Sequence, residues 1–314
     1  MSDLKLKTAT RTQGNNKPLK DGAVKPKTFD FAFEEVDPII AAFRRMVRGN
    51  EFDICEMAIT TYICAKENGK PMTAVPIFLV RAFHHGAILA NTKIGLRSPK
   101  DLEGKKVGVN RGYTVTTGVW ARGILQDEHD VDLSKITWVL SGDEHVAEYK
   151  PPRNVVPIEA GKDMGEMLAS GELAAAIGIE SKSPDVAPLI PNGQDAGLKA
   201  LRERGHYPIN HCVVIKDELI AKYPDLAADV FNAFAESKRQ YLAKLQAGQI
   251  EKPTEIDKLH QRVMEITGDP LPYGIQPNRM VIEELLRHAT TQGIITIPVS
   301  VDEMFAPSTR AMIG

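Results

Sequence analysis

Residues 4–10 (LKLKTAT) alternate apolar and polar side chains, the two-residue period of a half-buried strand. From residue 38 to 48 the period becomes helical: Ile39, Ile40, Phe43, Met46 and Val47 share one face, and Gly49 follows as a stop. Residues 52–59 read as a buried strand running into a turn, and residues 73–80 as another strand. The polar stretch 13–27 reads as loop, with a turn at Asp21-Gly22. Ser98-Pro99 has the form of a helix start, ended at Gly104 and followed by a short strand at 105–110 (KKVGVN). In GYTVTTGVWARGILQDE, Thr114, Thr116 or Thr117 caps a helix that turns Val119, Trp120, Ile124 and Leu125 inward. Residues 163–170 form a short helix, then Gly171 and a strand at 173–179. Two amphipathic helices follow. Leu226, Val230, Phe231 and Phe234 stripe residues 223–246; Met280, Ile282, Leu285 and Leu286 stripe residues 279–289. Strand–helix alternation throughout predicts an α/β protein with largely parallel sheets covered by helices. In such folds ligands sit beyond the carboxyl ends of the strands.

Two distant segments are built alike, VRAFHHGAILAN (80–91) and GHYPINHCVVIK (205–216). Each sets histidine and other polar groups directly before an apolar, strand-like run. Read as two passages between α/β lobes, they predict a first lobe of residues 1–85 with 212–314, and a second of 86–211. They would bring Arg81, His84, His85, His206 and His211 to one cleft. As strand neighbours, His84 and His85 are expected to point apart.

Composition narrows the function. The chain has 314 residues, 43% hydrophobic and 25% charged, with 39 basic and 41 acidic residues and a formal charge of −2. That length suits two domains of ordinary size. The charge balance disfavours nucleic acid and anionic membrane as partners, and no apolar run is long enough to span a bilayer. The start, MSDLKLKTATRTQGNNK, has no apolar h-region and no small-residue cleavage site, so a cytoplasmic location is expected. Cys55, Cys64 and Cys212 have neither disulfide-framework nor zinc-site spacing. No glycine pattern marks a nucleotide site. The loop and helix start after residue 110 form a natural anion site, because backbone N–H groups point outward there.

Several segments together carry a family resemblance. DLEGKKVGV, VWARGILQDEHDV with ITWVL, and MLASGELAAAIG look like the second lobe of type 2 periplasmic-binding-protein folds. EFDICEMAITTYICAK, PIFLVRAFHHGAILAN, HYPINHCVVIKDEL, YGIQPNRMVIEELLRHATTQGI and VDEMFAPS more narrowly resemble the 4,5-dihydroxyphthalate decarboxylase family. The likeness runs from about Lys5 to Pro307. The chain departs from it in the loop TRTQGNNKPLKDG, where an acidic and arginine-bearing segment is expected, and in LAAAIG and IESKSPDVAPLIPN. The resemblance implies a two-lobe fold and a carboxy-lyase that needs no cofactor. Its substrate would be a dihydroxylated aromatic dicarboxylate, decarboxylated to 3,4-dihydroxybenzoate. Self-association into a homo-oligomer is left open.

That chemistry needs one proton removed, one delivered, and a cation for the retained carboxylate. His85 and His211 are the acid/base candidates, since histidine titrates near neutral pH, although a single histidine beside an apolar strand is more often structural. Glu56, alone among apolar neighbours, is a buried partner or a site acid that orients a histidine. Arg81 can hold a carboxylate bidentately, against an ordinary ion pair. Arg11, Asn16, Thr60, Tyr113 and Thr114 are candidate substrate contacts; solvated polarity and helix capping are the blander readings for Arg11, Asn16 and Thr114. No metal is expected, because adjacent strand histidines point apart. The competing function is a solute-binding protein of the same fold, without chemistry.

Overall fold

The structure, a computed structural model, describes residues 4–314. Among these described residues, eleven strands form two sheets. In chain order they are β1 (Lys5–Ala9), β2 (Asp30–Phe33), β3 (Ile54–Ala58), β4 (Met72–Arg81), β5 (Ile88–Asn91), β6 (Lys106–Val109), β7 (Thr137–Leu140), β8 (Val155–Pro157), β9 (Ala175–Ile177), β10 (Val186–Pro188) and β11 (Ile209–Lys216). The first sheet runs β2-β1-β3-β11-β4 and the second β10-β5-β9-β6-β7-β8. The predicted strand at 105–110 therefore lies in a different sheet from the one at 4–10. In the first sheet β1, β2 and β3 are parallel, while β11 runs antiparallel to both β3 and β4. In the second, β6 to β9 are parallel and β5 and β10 are antiparallel at one side.

The chain divides into two compact units. The first comprises the chain up to Arg81, Ile209–Glu283 and Val299–Gly314; the second comprises Ala82–Pro208 and Glu284–Pro298. The chain changes unit at four points rather than two. The extra excursion has a local cause: Gln292 holds Arg122 and His206 is bonded to Glu284, so the end of the helix Arg279–Thr291 packs with the second unit. The sequence pattern alone assigns this segment to the first lobe.

Each sheet is covered by helices whose stripes were legible. In the first unit Ile54, Val75, Ile77, Val213 and Ile215 pack with Val230, Phe231 and Phe234 of the helix Leu226–Gln246. Burying a phenylalanine side chain this way is worth about 1.5–3 kcal/mol, and Phe231→Ala would cost about 3–5 kcal/mol. In the second unit Val107, Trp138 and Ile177 pack with Ala121, Ile124 and Leu125 of the helix Thr116–His129. Among the described residues, no helix is long and apolar enough to cross a membrane.

Several local expectations are corrected. The helix Ile40–Gly49 ends one residue later than read, at Asn50, whose φ of 48° is the left-handed conformation asparagine tolerates. The turn after β3 is a helix, Ile59–Glu67. The helix Thr116–His129 follows Val115 without a side-chain cap. Met280 is exposed rather than inward. The segment 80–91 is not one strand. β4 stops at Arg81, and His85–Ala87 forms a 3-10 turn. Gly193, at the start of the helix Gly193–Arg204, lies so close to the Gly86 backbone that a Cβ there would sit 2.3 Å from Gly86 N. The turn therefore buries both His84 and His85, instead of alternating them.

Candidate active site

The antiparallel register of β3 and β11 builds the first histidine–carboxylate pair. His211 lies opposite Ala58, and Val213 opposite Glu56, so His211 and Glu56 are diagonal neighbours on one face. The Nδ1–H of His211 donates to Glu56 Oε1 at 2.6 Å. Glu56 Oε2 accepts the backbone N–H of Arg11 at 2.8 Å, from the loop that follows β1. A carboxylate only accepts, so the proton on Nδ1 fixes the neutral tautomer with the lone pair at Nε2. Glu56 is fully buried, while the His211 side chain keeps 16% of its exposure. The Phe43 ring stands edge-on to the imidazole, its centroid 5.0 Å away, and restricts its rotation. An oriented imidazole backed by a buried carboxylate is the arrangement of a general base.

Around this pair the predicted contacts divide. The Arg11 side chain is exposed, with Nη2 on Gln13 at 3.3 Å. Asn16 is buried and shapes the loop: it donates to Arg11 O and accepts from Gln13 N. Thr60 is buried in the first turn of the helix Ile59–Glu67. Arg81 is buried at the end of β4, with Nη1 on Asn278 Oδ1 at 2.7 Å. Asn278 is itself fixed by its bonds to the carbonyls of Pro272 and Gly274.

The second unit holds the remaining candidates, and His85 belongs to it. His85 Nε2 lies 3.0 and 3.2 Å from the two carboxylate oxygens of Glu128, which Arg204 also contacts. His206 Nδ1 lies 3.1 Å from both oxygens of Glu284. Trp120 presents its ring edge-on to His206 and to His288. Burial pushes the carboxyls of Glu128 and Glu284 upward. The histidines, with Arg204 at Glu128, outweigh it and hold each at about 2. Tyr113 is buried beneath Arg122, whose guanidinium carbon is 3.7 Å from the ring centroid. Thr114 gives its hydroxyl and its backbone N–H to Glu144, which also takes the N–H of Tyr113. The outward N–H groups expected there are thus occupied by an internal carboxylate.

The second unit also has a cavity of about 300 Å³, lined by Asn110, Ser141, Ile158 and Ile179 among others. These residues follow β6, β7, β8 and β9, which places the cavity at the carboxyl ends of the parallel strands. As for metals, Asp127, Glu284 and His288 bring one ligand atom each within 4.8 Å. Arg287 holds both Asp127 oxygens and His206 both Glu284 oxygens, so these ligands are already spent on ion pairs. Cys55, Cys64 and Cys212 are buried free thiols, and burial pushes Cys55 and Cys212 up, away from thiolate chemistry.

The sequence reading missed Arg122, Glu128 and the Glu284–His288 pair. The last had a signal, two titratable residues four apart in an amphipathic helix. Arg122 sits within an otherwise apolar helical face and gave none.

No family model matches the chain. A 4,5-dihydroxyphthalate decarboxylase of Comamonas testosteroni is 30% identical over 325 residues, covering 98% of this chain and 98% of the relative. One of Pseudomonas putida is 36% identical over 191 residues, covering 58% and 73% respectively. Among solved structures, the aliphatic sulphonate binding protein SsuA from Escherichia coli matches with a TM-score of 0.55 and 11% identity, covering 99% of this chain and 100% of that one. The desulfurization enzyme DSZB matches at 0.53 and 12%, covering 98% and 97%. At such identities these two establish the fold alone, which is periplasmic-binding-protein-like and two-lobed. One is a binder and the other an enzyme, so the fold leaves the function open.

Proposed function

This chain belongs to the 4,5-dihydroxyphthalate decarboxylase family, and from that premise we propose that it decarboxylates 4,5-dihydroxyphthalate to 3,4-dihydroxybenzoate with Glu56 and His211 as its acid/base pair. The observation that carries the reading is the 2.6 Å bond from His211 Nδ1 to a fully buried Glu56. It leaves the basic Nε2 on the side of the ring that solvent reaches.

Each hydroxyl of the substrate stands para to a carboxylated carbon. His211 Nε2 takes the phenolic proton, and Glu56 stabilises the imidazolium that results. The ring electrons move to the para carbon, which accepts a solvent-derived proton. The bond to the carboxylate then breaks, its electron pair restores the aromatic ring, and carbon dioxide leaves. His211 returns its proton to the phenolate. The net change consumes one proton from water and leaves the enzyme as it began. Arg11 is the candidate counter-charge for the retained carboxylate, because its side chain is exposed and its backbone is tied to Glu56. His85, buried with Nε2 on Glu128, is given a structural role.

The test is direct. Purified protein is incubated with 4,5-dihydroxyphthalate without added cofactor, and the products are separated by chromatography. One mole each of 3,4-dihydroxybenzoate and carbon dioxide per mole of substrate supports the proposal. Saturable binding of an unchanged ligand would replace it with the solute-binding alternative.

A further inference from the structure

A larger cavity, of about 450 Å³, lies wholly within the first unit. Neither Glu56 nor His211 lines it, although Arg11, whose backbone is tied to Glu56, stands in its wall. Its size is that of ordinary small-molecule pockets. Three buried polar side chains stand in its wall in a row. Tyr241 donates its hydroxyl to Asp257 Oδ1 at 2.6 Å and lies 2.8 Å from His260 Nδ1. The tyrosine has one proton and the carboxylate only accepts, so His260 donates Nδ1–H to the tyrosine oxygen and carries its lone pair on Nε2. Asp257 is fixed in turn by the backbone N–H and hydroxyl of Thr254. All three side chains are more than nine-tenths buried. Burial holds His260 neutral, with its pKa pushed down to about 4.

The rest of the lining is apolar on one side and cationic at the rim. Pro18, Ile250 and Ile256 supply the apolar surface, and Ile256 is 46% exposed. Of the lining charges, Asp21 is spent on Lys17. Lys244 forms no ion pair among the described residues. A buried hydrogen-bond acceptor, an apolar wall and an exposed cation suit a ligand that carries a hydroxyl, an apolar body and an anion.

We propose that this cavity is a second small-molecule site, taking a hydroxylated aromatic carboxylate whose hydroxyl donates to His260 Nε2 and whose carboxylate meets Lys244. The site does not depend on whether the chain decarboxylates anything.

The probe is 4-hydroxybenzoate, titrated calorimetrically into the full chain and its variants. Saturable binding is expected in the parent protein and in His211→Asn. Lys244→Glu, at an exposed position, should weaken it about tenfold or more, as loss of a charge-assisted bond does. Ile256→Trp should abolish it by filling the cavity. Benzoate, which lacks the hydroxyl, should bind about tenfold or more weakly. The proposal is overturned if the parent shows no saturable binding, or if neither Lys244→Glu nor Ile256→Trp changes it. Binding lost in His211→Asn but kept in Ile256→Trp would also overturn it, by moving the ligand to the Glu56–His211 pair.

Discussion

The two units each contain histidine paired with glutamate, and the pairs are inverted in burial. In the first unit the acid is fully buried and the histidine keeps 16% of its side-chain exposure. In the second, His85 is 1% exposed while its Glu128 partner keeps 22%; His206 and Glu284 stand at 3% and 24%. Where the acid is inside, the imidazole is oriented from behind and its basic nitrogen faces outward. Where the histidine is inside, the acid is the more exposed partner, with Arg204 beside Glu128 and His288 beside Glu284, and the imidazole is part of the packing. Under the proposed mechanism the same pair of residue types serves as a reagent in one unit and as a strut in the other. Burial, not residue identity, separates the two roles.

The sharpest way to break this comparison is to remove His211. His211→Asn should lower kcat on 4,5-dihydroxyphthalate by about a hundredfold to ten-thousandfold, with little change in melting temperature, because the side chain is not fully buried. Glu56→Gln should cost less, on the order of ten- to a hundredfold in turnover, the usual loss when a histidine's orienting carboxylate is removed. It should also lower stability, since the replacement carries an amide into a fully buried place. Steady-state kinetics and thermal melts on the same samples check both.

The strut side predicts the opposite split. His85→Asn should lower the melting temperature by about 2–10 °C, the effect of unpairing a buried polar group, while kcat at a temperature where the variant is folded stays within about threefold of the parent. A smaller effect lies in the acid limb. Glu128 is depressed in the folded state to about 2 from an unfolded value of 4.5. Its contribution to stability is therefore fully present above pH 4.5 and fades as pH falls toward 2. Glu128→Gln should lower the melting temperature at neutral pH, flatten its fall across that window and approach the parent near pH 2, as a pH series of thermal melts would show.

Much of the fold was legible because it rests on local periodicity. The strands at β1, β4 and β6 and the helices Leu226–Gln246 and Thr116–His129 all carry the stripes or alternation that burial requires. The individual residues Glu56 and His211 stood out for the same reason, as polar groups in apolar runs. Their pairing did not. It joins positions 155 residues apart through an antiparallel register that no local pattern encodes. The expectation that His84 and His85 point apart fails because the strand period stops before the 3-10 turn at His85–Ala87, where Gly193 packs against Gly86. Arg122 lay hidden for a related reason. Its guanidinium sits on the Tyr113 ring and bonds the carbonyl of Tyr113 and the side chain of Gln292, a tertiary solvation that turns a charged residue into a core one.

The most direct test of the inverted pairs is a side-by-side assay of His211→Asn and His85→Asn on 4,5-dihydroxyphthalate, each corrected for its folded fraction by circular dichroism. The account predicts that His211→Asn is folded and nearly inactive, and that His85→Asn is less stable but turns over nearly like the parent when folded. A fully folded His85→Asn that is inactive, beside an active His211→Asn, would contradict it.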